Sequence, residues 1–375
     1  MDFDFTDDQE SLRDAVRRWV DKGFSFERRH ALAKAGGASR EVYTELADLG
    51  LTGLAVPEAH GGMGFGAVEA MVVMEELGRG LVNAPFAHGA LVAPALLAAA
   101  PEAVQARWLP KVSDASALVV LAHQERQARY RLDSVKTRAS KGATGWTLVG
   151  AKSVVPAGDE ADAFIVPARI GGADTDKAGI GLFLVEKGAT QVRSYPTQDG
   201  ARAAELTLTD APATLINEDG FATLEAAVDI GIAALCAEGV GAMDKLMALT
   251  VDYLNTRKQF GVTLATFQAV RHRVADMKMQ LELARSMSYF ATMNLGEPLD
   301  VRRRALAQAK YQAGMAARYV GQQSMQLHGG IGLTDEYAGS HYFKRLTMID
   351  LAFGDTLHQL GEVSARMTDE AGVFA

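Results

Sequence analysis

The chain has 375 residues, more than one ordinary hydrophobic core organises, so two or three domains are expected. With 48% apolar and 22% charged residues it has the composition of a soluble globular protein, and a net charge of −8 argues against a nucleic-acid partner, which would need a basic face. The start, Met1-Asp-Phe-Asp, lacks the basic n-region and apolar run of a signal peptide, and the stretch from Leu91 to Ala100 is too short to span a bilayer, so no membrane association is expected.

The first 115 residues read as a helical domain. Thr6 followed by Gln9 is a capping-box pattern, and Leu12, Val16, Trp19 and Val20 then recur on one helical face. A second helix is expected from Ser39 to Gly50. Gly61-Gly62-Met-Gly-Phe-Gly66 is read as a loop, because no strand precedes it to make a dinucleotide fingerprint.

From 116 to 220 the period becomes that of strands. Ala117–Ala122, Thr147–Val155, Ala163–Ile170, Ile180–Val185 and Ala204–Leu208 are short β-rich runs between polar clusters, with links too short for helical crossovers. The expectation is a small antiparallel β-domain. From 221 to 375 the pattern is helical again, over Phe221–Lys258, Thr266–Asn294, Val301–His328 and Tyr342–Met367, which predicts an antiparallel four-helix bundle. The single cysteine, Cys236, sits in an apolar helical stretch; it excludes an internal disulfide, fits a reducing cytoplasm and is expected in the core.

Several motifs in register along this α+β chain resemble the acyl-CoA dehydrogenase family. They are Leu49-Gly-Leu-Thr-Gly-Leu-Ala-Val-Pro57, Glu75-Glu-Leu-Gly-Arg79, Asn255-Thr-Arg-Lys-Gln-Phe-Gly261, and Gln326-Leu-His-Gly-Gly-Ile-Gly332 leading on to Leu351-Ala-Phe-Gly-Asp355. Glu125-Arg-Gln-Ala-Arg-Tyr130, Tyr195-Pro-Thr-Gln-Asp-Gly200 and His341-Tyr-Phe-Lys-Arg-Leu-Thr-Met-Ile-Asp350 are similar to the small-subunit branch represented by pimeloyl-CoA dehydrogenase. The resemblance implies a helical domain, a β-domain and a helical bundle. It also implies FAD as cofactor, an acyl-CoA thioester as substrate, and electron-transferring flavoprotein and a large dehydrogenase subunit, in a heterotetramer, as partners. The acyl group is left open between a dicarboxylyl-CoA, a medium chain and a sterol side chain.

By the same resemblance, Arg257, Phe260, Gly261 and Gln268, with Gln326, Gly329, Gly330 and Gly332, are the expected FAD contacts. A guanidinium fork suits diphosphate oxygens, and glycines let backbone amides approach a phosphate. The other readings are that Arg257 offsets a helix C-terminal dipole and that the glycines form a C-cap. His328 is read as structural.

The flavin-ring side departs from the family. The usual Thr-Glu-Pro-Gly-x-Gly-Ser-Asp segment is matched by Gln124-Glu-Arg-Gln-Ala-Arg-Tyr-Arg131, and Trp-Ile-Thr by Val154-Val-Pro156. The family's catalytic glutamate is matched by Phe353, and its alternative position by Gly231, so no catalytic base is assigned; Asp350, Asp355 and Asp229 are the nearest substitutes. Gly231, Ala233, Ala234, Gly239 and Gly241 on the long helix either leave room for a bulky acyl group or serve helix packing. The leading expectation is a small subunit without the catalytic Glu that completes a partner's FAD site. The alternatives are a self-sufficient dehydrogenase with a displaced carboxylate and a flavin-free scaffold.

Overall fold

The structure is a computed structural model describing residues 5–37, 40–143 and 145–367. The stretch Met1-Asp-Phe-Asp and the helix start expected at Ser39 lie outside the described residues. Two compact units form. One takes the chain up to Arg29, Ala67–Val82 and the chain from Ile232 onward; the other takes His30–Gly66 and Asn83–Gly231.

The N-terminal helices are α1 (Asp7–Gly23), α2 (Phe26–Lys34), α3 (Arg40–Asp48), α4 (Ala67–Arg79), α5 (Ala93–Leu97) and α6 (Glu102–Ser113). The capping box forms at α1: Thr6 Oγ1 accepts from the Gln9 amide at 3.3 Å, and the Gln9 side chain accepts from the Thr6 amide at 3.0 Å. The glycine-rich loop from Gly61 precedes α4 with no strand before it among the described residues.

The sheet contains β1 (Val119–Leu121), β2 (Arg138–Gly142), β3 (Gly145–Pro156), β4 (Ala163–Arg169), β5 (Ile180–Glu186), β6 (Gln191–Pro196) and β7 (Arg202–Asn217). Most pairings are antiparallel, as the sequence predicts, but β4 runs parallel to β1 and meets β2 in parallel at Arg138 and Arg169. The short-link reasoning missed this because β1 and β4 are not consecutive. The β2–β3 hairpin lies between them and supplies the long crossover that a parallel pair needs. The strand β5 pairs with both β7 and β4, so the strands close on themselves. Phe164, Val166, Phe183, Leu148 and Leu206 belong to the core of this unit.

The helices α7 (Phe221–Thr256), α8 (Gln268–Met293) and α9 (Leu299–His328) follow, with the small strands β8 (Lys258–Gln259) and β9 (Val262–Thr263) between the first two. The predicted fourth helix is two: α10 (Ala338–Leu351) and α11 (Thr356–Ala365). The helix α7 is long and apolar enough to cross a membrane, and 89% of its most apolar window is buried inside the protein. Cys236 is fully buried on it.

Close contact between α4 and α7 accounts for part of the small-residue pattern. A Cβ at Gly241 would lie 1.8 Å from the Glu75 carbonyl oxygen, and one at Gly78 would lie 2.1 Å from that of Glu238. Backbone meets backbone there, so Gly241 serves packing. Around this crossing Met243, Leu246, Met277, Leu281, Val320 and Leu346 form the core of their unit. The carboxylate of Glu238 accepts two hydrogen bonds from Arg345, at 2.5 and 2.7 Å, and so ties α10 to α7.

Candidate functional site

Asn255 to Gly261 leaves the end of α7 as a two-residue hairpin. Gln259 pairs with Val262, and the residues between them, Phe260 and Gly261, have φ of 54° and 82°. Positive φ at both central positions marks a type I′ turn, which glycine enters freely and phenylalanine enters at a cost. The turn holds the Phe260 ring outward, 93% exposed, with an edge-on contact to Phe267 at 6.2 Å. Arg257 and Gln268 flank the hairpin and are exposed. The Arg257 guanidinium makes no hydrogen bond or ion pair among the described residues, so it does not cap the last carbonyls of α7.

The glycine turn follows the last residue of α9. Gln326, Gly329 and Gly330 are exposed and Gly332 is buried. Gly329 has φ 63° and ψ −139°, which only glycine holds without strain. A Cβ at Gly329, Gly330 or Gly261 would meet nothing of this chain within 4 Å, whereas one at Gly332 would come 2.9 Å from the His328 Cβ. The first three thus present open backbone and the last is needed for packing.

His328 joins the two turns. Its ring lies 4.7 Å from that of Tyr253, on the last turns of α7, and 4.8 Å from that of Tyr337. Burial holds its pKa below the ordinary value. The neutral ring then donates from Nδ1 to the Ser324 carbonyl at 2.8 Å and accepts at Nε2 from the Tyr337 hydroxyl at 2.7 Å. Histidine is structural here, and it brings the hairpin and the glycine turn to one end of the bundle.

Phe353 does not stand on a helix. It has φ 55° and is 8% exposed, and with Gly354 at φ 105° it breaks the chain between α10 and α11. Asp350 therefore does not lie one helical turn from it on a shared helix face. The Asp350 carboxylate accepts from the Thr356 hydroxyl at 2.6 Å and its amide at 3.2 Å, and Arg318 approaches to 3.4 Å. Asp355 caps α11, accepting from the His358 amide at 2.9 Å. Asp229 is fully buried.

Sequence reasoning missed Lys310. Its fully buried ammonium donates to the carbonyls of Ile349 at 2.6 Å, Asp350 at 2.9 Å and Gly354 at 3.4 Å, pinning this elbow from α9. A lone lysine among Ala305, Leu306, Ala309 and Ala313 on a buried face was the signal.

On the β-domain, Glu125 is engaged. Oε1 accepts from Lys152 Nζ and Thr137 Oγ1, both at 2.7 Å, and Oε2 accepts from the Lys136 amide at 2.8 Å and Gln127 Nε2 at 2.7 Å. Burial alone would raise its pKa, but the Lys152 charge and these donors hold it down to about 2. It staples the 124–137 segment to β3 and is unsuited to take a proton. Val154 sits at an irregularity of β3 with φ 53° and is exposed, and Pro156 has no amide proton to donate.

Residues 6–116, 120–211 and 218–368 match the family models for the acyl-CoA dehydrogenase N-terminal, middle and C-terminal domains. The chain belongs to the acyl-CoA dehydrogenase family. It is 30% identical to the mitochondrial long-chain specific acyl-CoA dehydrogenase of Sus scrofa, over 89% of this chain and 80% of that protein. Among solved structures, a variant of the Tcur3481-Tcur3483 steroid ACAD has a TM-score of 0.88 and 30% identity, covering 97% of this chain and 98% of that one. The ChsE4-ChsE5 complex from Mycobacterium tuberculosis gives 0.88 and 25%, with the same coverage.

Proposed function

We propose that the chain is the non-catalytic subunit of a heteromeric, FAD-dependent acyl-CoA dehydrogenase, the role filled by the small subunit in the pimeloyl-CoA dehydrogenase branch. The observation that carries this reading is the elbow at Phe353. A phenyl ring stands where the family's base is expected, and the acids beside it, Asp350 and Asp355, are spent on Thr356 and on the cap of α11. Losing a general base costs roughly 10²- to 10⁴-fold in rate.

The residues present fit one half of an FAD site. Arg257, exposed and with no hydrogen bond or ion pair among the described residues, would take diphosphate oxygens, together with the open backbone of Gly329 and Gly330, and the Phe260 ring would be offered to the adenosine side. Gln268 and Gln326 are exposed near these turns and would add polar contacts. FAD bound there supplies the acceptor for the hydride that leaves the β-carbon of an acyl-CoA. The other half fits poorly: Val154 replaces the stacking ring and Pro156 removes a donor, so the isoalloxazine pocket and the base would belong to a large partner subunit. Electron-transferring flavoprotein would reoxidise the complex. The names of the two solved relatives, a steroid ACAD and a two-component complex, support a heteromeric assembly acting on a bulky acyl-CoA.

The test is the visible spectrum of the chain purified alone and with its partner, before and after anaerobic addition of pimeloyl-CoA or a sterol side-chain CoA ester. The expected result is bleaching of a flavin band in the complex only. A flavin band on the isolated chain that bleaches with acyl-CoA would overturn the proposal.

A further inference from the structure

The helix α8 carries two stripes on opposite sides, each apolar except for one serine. Met277, Leu281, Ala284, Ser288 and Ala291 are buried. Two residues further on at every step, Met279, Leu283, Ser286, Phe290 and Met293 are exposed. Two residues are about 200° round a helix, so the second stripe points away from the first. A helix that is apolar on both sides belongs to an interior on both sides.

The outer stripe is flanked but not covered. On one flank Arg285 pairs with Glu75 of α4, and the Tyr289 ring meets Phe5 edge-on at 5.9 Å. On the other, α9 runs antiparallel: Gln312 Nε2 donates to Gln280 at 3.2 Å and Arg273 Nη1 to Gln323 at 3.1 Å. Between these flanks the four large side chains of the stripe remain 39 to 53% exposed. The same register puts Met315 near the level of Met279 and Val301 near that of Met293, and both are exposed. Contiguous apolar surface of this kind marks an interaction site.

The stripe is prepared for drying. Its serine donates its hydroxyl to the Glu282 carbonyl at 2.9 Å, so burial orphans no donor. The charged residues along this stretch of α8 are Lys278, Glu282 and Arg285, and each already has an ion pair within the chain. Steps of four and three residues are those of the a and d positions of a coiled coil, with Leu283 and Phe290 at a and Met279, Ser286 and Met293 at d. In a parallel pair of such helices Phe290 would meet Phe290 and Ser286 would meet Ser286, one layer overfilled and the next empty. In an antiparallel pair a faces d, so the largest side chain meets the smallest and Leu283 meets Met293. The two-fold axis makes each match twice.

We propose that the outer face of α8 is where a second copy of this chain docks, antiparallel, with Phe290 seated over Ser286 of the second copy and Leu283 against its Met293. The two α8–α9 hairpins then form a four-helix layer. The pairing uses neither Arg257 nor Phe353 and stands apart from the function proposed above.

The test is sedimentation of the full chain over a range of concentrations, together with oxidative cross-linking. The expected result is a reversible dimer whose dissociation constant rises at least tenfold in Leu283→Glu. Leu283 is exposed in the single chain, so that variant should keep its far-ultraviolet circular dichroism and its loss of pairing is not a loss of folding. Cys236 is fully buried, so introduced cysteines are the reactive ones. The double variant Leu283→Cys/Met293→Cys should form a disulfide-linked dimer, whereas each single variant should not. Within one helix the two positions are about 15 Å apart, too far to bridge. A chain that is monomeric at every concentration, Leu283→Glu pairing like the wild type, or single variants linking as readily as the double would overturn the proposal. So would a monomeric chain whose Leu283→Glu variant fails to assemble with the large subunit, which would give the stripe to that subunit.

Discussion

At Arg257 the guanidinium is exposed and no acid binds it among the described residues, so removing it orphans none of them. Arg257→Ala should therefore change the stability of the isolated chain by no more than about 0.5 kcal/mol. In the assembled complex the same change deletes a charged hydrogen-bond donor to diphosphate, worth about 1.5–3 kcal/mol, or roughly ten- to a hundred-fold in FAD retention. Arg257→Lys should recover only part of this, since an ammonium keeps the charge and loses the fork. Flavin occupancy of the complex, measured by absorbance after gel filtration, checks it; full occupancy in Arg257→Ala would refute the diphosphate contact. Phe353 is the opposite case. It is buried in an elbow whose carbonyls are already bound by Lys310 and by Gln359, which donates from Nε2 to the Phe353 carbonyl at 2.9 Å. The elbow is thus held without a carboxylate at position 353.

At the scale of elements, the hairpin between α7 and α8 accepts a strained residue and exposes it. Phenylalanine at the first central position of a type I′ turn forgoes about 1 kcal/mol relative to a residue that tolerates left-handed geometry, and a ring that is 93% exposed recovers none of it within the chain. Phe260→Asn would make the turn Asn-Gly, the strongest short hairpin sequence. The isolated chain should gain about 0.5–1 kcal/mol in urea unfolding, while FAD retention by the complex should fall. A variant that gains stability and loses no flavin would remove Phe260 from the site. The residues of this turn were singled out by the family motif, but the hairpin itself was not read, because strands of two residues carry too little alternation to mark them. The break between α10 and α11 was not read either, because Tyr342, Leu346, Ile349, Phe353 and Thr356 keep helical spacing straight across it. What breaks the helix is Gly354 together with Lys310, which comes from another helix and cannot be seen by local periodicity. The strands β2 and β6 were missed for a related reason. They are short and largely exposed, so little apolar alternation marks them.

For the whole molecule, family membership was readable in several motifs at once, whereas the electrostatics that hold it together had to be seen folded. His328 and His341 are each kept below their ordinary pKa by burial, one between two tyrosine rings and the other beside Arg29. In the unfolded chain both titrate near pH 6.5. Below that pH the unfolded state therefore binds more protons than the folded one, so stability is complete above about pH 6.5 and declines as pH falls towards the folded values. Each histidine adds a slope of at most about 1.4 kcal/mol per pH unit, less where solvent reaches the ring. Glu125, held at about 2 by Lys152 and its neighbours, loses its contribution only below the ordinary carboxylate range, so the two windows separate. Urea unfolding at pH 7.5, 6.5 and 5.5 should show little change over the first interval and a clear loss over the second. His328→Gln, which has an amide for each of the Ser324 and Tyr337 contacts, should make the loss over the second interval smaller, leaving the share of His341. A loss of the same size in that variant would mean that His328 is charged in the folded chain, and the packing that joins the hairpin to the glycine turn would need another explanation.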